Sequence, residues 1–203
     1  MDTYANLKTE VVDWLNREGF DALVAKVDTF LGMAQRKIFR TCDFHCLEAS
    51  TSGTGSVETI ALPSDFQRTK MLYVGVGSGL KEITGGSYHN VITTQAGSRD
   101  LPRKYVRQGD VLVLGPIPDQ EYTYYLMYYK SLPLLSDSNT TNWFTDNAPE
   151  LILFGALVEA SVYLKDDNRA QVWQARFDQV KGEITASEER SDKEYGGMAV
   201  QLA

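Results

Sequence analysis

A chain of 203 residues, 43% hydrophobic and 23% charged, is long enough to fold around its own core without covalent staples. Its formal net charge of -7 disfavours general nucleic-acid binding through a basic surface, while an acidic wall would let phosphates slide past without sticking. Two cysteines, Cys42 and Cys46, give no disulfide framework and suit a reducing compartment.

The first fifteen residues carry acidic side chains and lack the cationic start and apolar core of a signal peptide, so synthesis in the cytoplasm is expected. Thr3 can cap a helix over residues 4–17, with Leu7, Val11, Trp14 and Leu15 at helical spacing and Gly19 as its stop. Asp21 can cap a second, reaching about Arg40, whose stripe is Val27, Phe30, Leu31, Ala34 and Ile38, with Gln35, Arg36 and Lys37 outside it. The pair predicts an antiparallel helical hairpin.

Residues 49–56 read A-S-T-S-G-T-G-S, without period or bulk, and predict a flexible linker. From 57 to about 130 the pattern is β-like, with strands expected over 57–62, 70–76, 80–84 and 88–93. Residues 104–107, 111–114 and 121–130 predict a three-strand meander. Its last strand holds Tyr122, Tyr124, Tyr125, Tyr128 and Tyr129 on both faces of the pleat, so it reads equally as sheet core and as contact surface.

Trp143 and Phe144 fall in an expected loop, either anchoring it on the core or forming an interface hot spot. Asn147 and Glu150 form a capping-box-like start to a helix in which eleven of the fourteen residues 151–164 are hydrophobic. That run is too short for a hydrocarbon core needing roughly 20 apolar residues, so no membrane span is expected. A helix apolar on most of its circumference must be covered on several sides, which makes one flank a subunit contact. Leu151, Phe154, Val158 and Val162 are the candidates on it, with Trp143 and Phe144 beside them.

Asp166 and Asp167 can cap a last helix over about 169–188, with Trp173, Phe177, Val180 and Ile184 as its stripe. Beyond it the sequence turns polar, then small. The fold class is therefore α+β: a four-helix core of two N-terminal and two C-terminal helices (1–48 and 147–187), an inserted antiparallel β module (57–132) and an extended C-terminal tail (188–203).

Candidate chemistry is sparse. Cys42, His45 and Cys46 lack the second ligand pair of a structural zinc site and read as ordinary residues at a helix end. A Cys46–His89 pair has no flanking nucleophile signature. Gly75, Gly77 and Gly79 are followed by strand-like residues where a dinucleotide fingerprint needs a helix start, so they predict a β-turn. Arg103, Lys104 and Arg107 form a small basic cluster that reads as a solvated strand end. No catalytic residue, metal ligand or cofactor site is expected.

Three segments carry a resemblance. Residues 132–167, L-P-L-L-S-D-S-N-T-T-N-W-F-T-D-N-A-P-E-L-I-L-F-G-A-L-V-E-A-S-V-Y-L-K-D-D, residues 7–17, L-K-T-E-V-V-D-W-L-N-R, and residues 62–66, L-P-S-D-F, resemble tailed-bacteriophage head-to-tail adaptor (connector) proteins. The E-Y-G-G at 194–197 is similar to the tails of podovirus tail-tube adaptors.

The resemblance implies a structural virion protein at the head-to-tail junction. Such proteins form a homo-oligomeric ring, commonly a dodecamer, beneath the portal of the DNA-filled head, offer a platform to a tail or nozzle protein, and line a channel that DNA passes without sequence-specific binding. Helices form the ring body, β regions project, and C-terminal tails dock into the portal. On this chain the resemblance assigns Glu188 to Ala203 to the portal, with Tyr195, Gly196, Gly197 and Met198 as the contact candidates. Tyr124, Tyr125, Tyr128 and Tyr129 are the contact candidates of the β module. Two rivals stand beside this: a head- or tail-completion protein elsewhere on the same axis, and a small glycan-binding protein or hydrolase using the β module, which binding or turnover requiring Tyr128 would favour.

Overall fold

The computed structural model describes residues 3–16, 21–56, 58–95, 97 and 99–196. In chain order the elements are α1 (Tyr4–Leu15), α2 (Asp21–Val24), α3 (Val27–Thr41), a 3-10 turn (His45–Leu47), β1 (Glu48–Gly55), β2 (Thr59–Ala61), β3 (Phe66–Val76), β4 (Gly79–Glu82), β5 (Thr84–Gly85), α4 (Tyr88–Gln95), β6 (Lys104–Gln108), β7 (Val111–Gly115), β8 (Tyr122–Lys130), α5 (Trp143–Asn147), α6 (Pro149–Tyr163) and α7 (Asp167–Gly196). The class is α+β, as expected. The chain divides into two units, Met1–Leu47 with Leu132–Ala203, and Glu48–Ser131.

In the first unit Thr3 caps α1 by accepting from the Asn6 amide, and Asn16 ends it in the left-handed region at φ 48°. The expected stop, Gly19, lies outside the described residues. The expected second helix is broken: the Lys26 amide bonds to the Leu23 carbonyl, a 3-10-type contact that separates α2 from α3 while keeping Leu23 and Val27 both buried. The predicted stripe of α3 is buried throughout.

Gln35 is buried with that stripe rather than outside it. Its Oε1 accepts from the Leu135 amide at 2.7 Å and its Nε2 donates to the Leu31 carbonyl at 3.3 Å, tying α3 to the segment that leads into α5. Gln35→Leu should cost about 1–3 kcal/mol, because it strands a buried amide while keeping the volume. Urea unfolding followed by tryptophan fluorescence measures it.

The start of α6 also differs from expectation. Asn142, not Asn147, makes the capping box, its side chain accepting from the Phe144 and Thr145 amides while Thr145 Oγ1 accepts from the Asn142 amide. The expected loop at Trp143 and Phe144 is therefore the short α5. Pro149 then opens α6 at a position where its missing donor costs nothing.

α6 packs on α1, α3, α5 and α7, which explains why it is apolar on nearly every side. At Gly155 an added Cβ would stand 3.0 Å from Ala34 Cβ and 3.4 Å from the Phe177 ring, so this glycine sets the closest approach of α3, α6 and α7.

The last helix outruns its predicted end near Glu188 and reaches Gly196, so residues 188–196 are helix and not extended tail. Their polarity reads as a tail, yet five of the nine, Glu188, Glu189, Arg190, Lys193 and Glu194, are good helix formers and none is proline. Two contacts also hold this stretch: the His45 amide donates to Glu188 at 2.8 Å, and His45 Nε2 lies 3.3 Å from Asp192. Residues 197–203 of the expected tail lie outside the described residues.

The second unit is two four-stranded sheets, ordered β1-β8-β3-β4 and β2-β7-β6-β5, sharing one core that includes Leu72, Leu112, Leu114 and Leu126. Three expectations are corrected here. Residues 49–56 are not a linker: most of them form β1, paired with β8 in unbroken register from Glu48↔Tyr129 to Gly55↔Tyr122. Small residues suit that place, since a Cβ on Gly53 would come within 2.6 Å of Tyr124 Cζ.

Residues 88–93 are helical, not a strand. Ser87 Oγ accepts from the Asn90 amide, Thr93 bonds back to the His89 carbonyl, and only Val91 of α4 is buried. The meander is split: β6 and β7 pair around Gly109 at φ 60°, but β8 leaves them to lie between β1 and β3. Most pairs are antiparallel, and β5 meets β6 in parallel.

Candidate functional site

The residues with reactive side chains are occupied by structure. Cys42 is buried at the end of α3, and Cys46 and His45 lie in the 3-10 turn that follows. His89 belongs to the other unit, on α4. Among the described residues no group of three or more His, Cys, Asp or Glu side chains gathers where an ion could be held. Gly77, at φ 59°, makes the β3–β4 turn, with Gly75 opposite Leu80 and Gly79 opposite Val76.

The basic cluster is likewise engaged. Arg103 pairs with Asp100 at 2.9 Å, and Arg107 donates to the Gly109 and Gln67 carbonyls while lying 5.0 Å over the Phe66 ring. Asp166 caps α7 by accepting from the Arg169 amide. What remains is exposed apolar and aromatic surface.

In the helical unit the predicted contact residues separate. Leu151, Val158 and Phe144 are buried within the unit itself, and Phe154 and Trp143 are half-buried. Only Val162, 57% exposed, is openly presented. With Tyr163 and Met33, both more than a third exposed, it flanks a groove between α3 and α6 that is also lined by Lys26, Thr29, Phe30 and Glu159. The Phe30 and Tyr163 rings meet there at 5.6 Å. This is a mainly apolar strip with one charge of each sign at its border, the composition of an interface core and rim.

A second aromatic group was not legible in the sequence. Trp14, Phe154 and Trp173 come from three helices and meet with centroids 5.6–6.1 Å apart, Phe154 and Trp173 stacked at 9°. Arg169 closes it, lying 5.9 Å over Trp173 and donating to the Trp14 and Leu15 carbonyls at the end of α1. Each residue lies on a predicted helical face, but nothing in one dimension says that the three faces converge.

In the β unit the tyrosines divide by face. Tyr122, Tyr124 and Tyr128 alternate with buried Leu126 on one side, whereas Tyr125 and Tyr129 point the other way. Tyr128 donates to Asp65 at 3.1 Å, and burial first and this carboxylate second raise its hydroxyl above the usual tyrosine range. Tyr128 is thus core, not contact surface. Tyr125, opposite Tyr73 on β3, is exposed, and Tyr129 lies under Arg68 at 4.7 Å.

Tyr195 and Gly196 fall in the last turn of α7, while Gly197 and Met198 lie outside the described residues. No helix among the described residues is long and apolar enough to cross a membrane.

No protein of the curated set matches this chain. The family model described as SU10 adaptor protein matches residues 2–201, almost the whole sequence. That match spans both units, including the β strands and the full length of α7. The chain therefore belongs to the SU10 adaptor protein family, phage structural proteins of the head-to-tail junction.

Proposed function

We propose that the chain is one subunit of a closed ring beneath the phage portal, commonly twelve copies in such assemblies, joining the DNA-filled head to a tail or nozzle protein. It performs this role without catalysis, metal or cofactor. The observation that carries the reading is the exposed strip of Val162, Tyr163 and Met33 on a chain whose family is that of head-to-tail adaptors. Apolar surface left open on a lone subunit is covered when identical copies close around an axis. The negative net charge suits a channel through which DNA slides without sequence-specific binding.

The portal contact is assigned to the C-terminal segment, with Tyr195, Gly196, Gly197 and Met198 at its start. The lever is long: α7 runs for 30 residues, and His45 holds it near its end through Glu188 and Asp192. Truncating the chain after Glu194 keeps both contacts. The shortened protein should retain its helical circular dichroism and its melting temperature, and lose at least tenfold in affinity for purified portal. Undiminished portal binding by the truncated chain would refute this assignment.

A further inference from the structure

Among the described residues the first sheet of the β unit has two unpaired edges, of which β4 is short and carries Lys81 and Glu82 while β1 is long and uncharged over most of its length. β1 is eight residues long and bonded on one side only, to β8, in a register without a bulge. Its sequence, E-A-S-T-S-G-T-G, contains no proline and no lysine, and the outward side chains Ser50, Ser52 and Thr54 are exposed and small. Natural edge strands are normally shortened, bulged, charged or covered to prevent pairing with another chain. β1 uses none of these devices beyond Glu48 at one end, which is paired with Lys70.

The opposite edge is β4, held only by β3. All four of its residues are exposed, Leu80 at 61%, and Val76 across the turn is exposed as well. The four strands run in strict antiparallel alternation from β1 to β4. β1 and β4 therefore run in opposite directions. A copy repeated in the same sense beside the first brings its β1 antiparallel to β4, and the alternation continues across the joint.

We propose that β1 of one copy pairs with β4 of the next, so that neighbouring sheets join edge to edge around the ring. The occupant of each edge is a second copy of this chain. The contact is heterologous, with different patches on its two sides, as ring closure requires. It would satisfy the free backbone groups of both edges and cover Leu80. The inference rests on the ring reading above and adds to it which strands meet.

The test is amide hydrogen exchange of the full-length chain, free and assembled on purified portal, combined with two blocked variants. Exchange across 49–55 and 79–82 should slow at least tenfold on assembly. Ser52→Lys with Thr54→Lys blocks β1, and Leu80→Pro blocks β4. Each variant alone should give no closed ring, while an equimolar mixture should pair once through the intact edges and stop at heterodimers. Circular dichroism of each variant verifies folding, and the wild-type exchange data stand even where a variant fails to fold.

Rings with fast exchange at both edges would overturn the pairing and leave the ring reading intact. Dimerisation of the β4-blocked variant alone would overturn it in favour of a symmetric β1–β1 contact. A wild-type chain that forms no ring on the portal would sink both.

Discussion

Val162→Asp should leave the lone chain folded and abolish ring assembly. The side chain is mostly exposed near the end of α6, so a carboxylate there meets water in the free subunit and costs about 1 kcal/mol, chiefly through the helix dipole, too little to unfold the chain. Against a neighbouring copy the same carboxylate would be desolvated in an apolar strip, beside Tyr163 and Met33, with Glu159 also lining the groove. A loss of roughly 2–4 kcal/mol at each contact corresponds to about 30- to 1000-fold in subunit affinity. Native mass spectrometry on purified portal reads the outcome. Val162→Leu is the control and should assemble normally.

The other large effect concerns the fold that presents this strip. Gly155→Leu should destabilise the helical unit by roughly 3 kcal/mol, because even its Cβ already lies within 3.0 Å of Ala34, and the rest of the side chain has no space between α3 and α7. For a chain of this size that is a fall of roughly 6–12 °C in melting temperature. Adding Ala34→Gly removes the nearest obstacle and should restore part of the loss, whereas a glycine substitution on the exposed side of α3, such as Met33→Gly, should not. Calorimetry distinguishes the two. A Gly155→Leu chain melting at the wild-type temperature would mean that the three helices do not cross where the structure puts them.

The helices were legible in the sequence because their stripes are periodic and their packing is local: Leu7, Val11 and Leu15 on α1, and Val27, Leu31, Ala34 and Ile38 on α3, are all buried. What failed had no local signal. β1 is stabilised by its ladder to β8, about seventy residues away, and Ser, Thr and Gly show no apolar alternation of their own. α4 has a single buried residue, so its helical turn rests on Ser87 and the threonine back-bonds that no period reports. The placement of β8 between β1 and β3 is a question of topology, which the turn after β7 leaves open.

The contact surface was legible in kind but not in detail. An all-apolar α6 signals that something must cover it; which residues remain open depends on α1, α3, α5 and α7, and they take Leu151 and Val158 and leave Val162. Among the tyrosines of β8, the alternation of faces is visible in the sequence. That Tyr128 faces the shared core and Tyr125 does not follows only once the second sheet is in place.

Electron microscopy of the full-length chain mixed with purified portal shows whether the subunits close into a ring. A closed ring of fixed copy number is expected at the narrow end of the portal, with the α3–α6 strip inside the subunit joints. Single copies scattered on the portal, or binding to the tail tube with none to the portal, would contradict it.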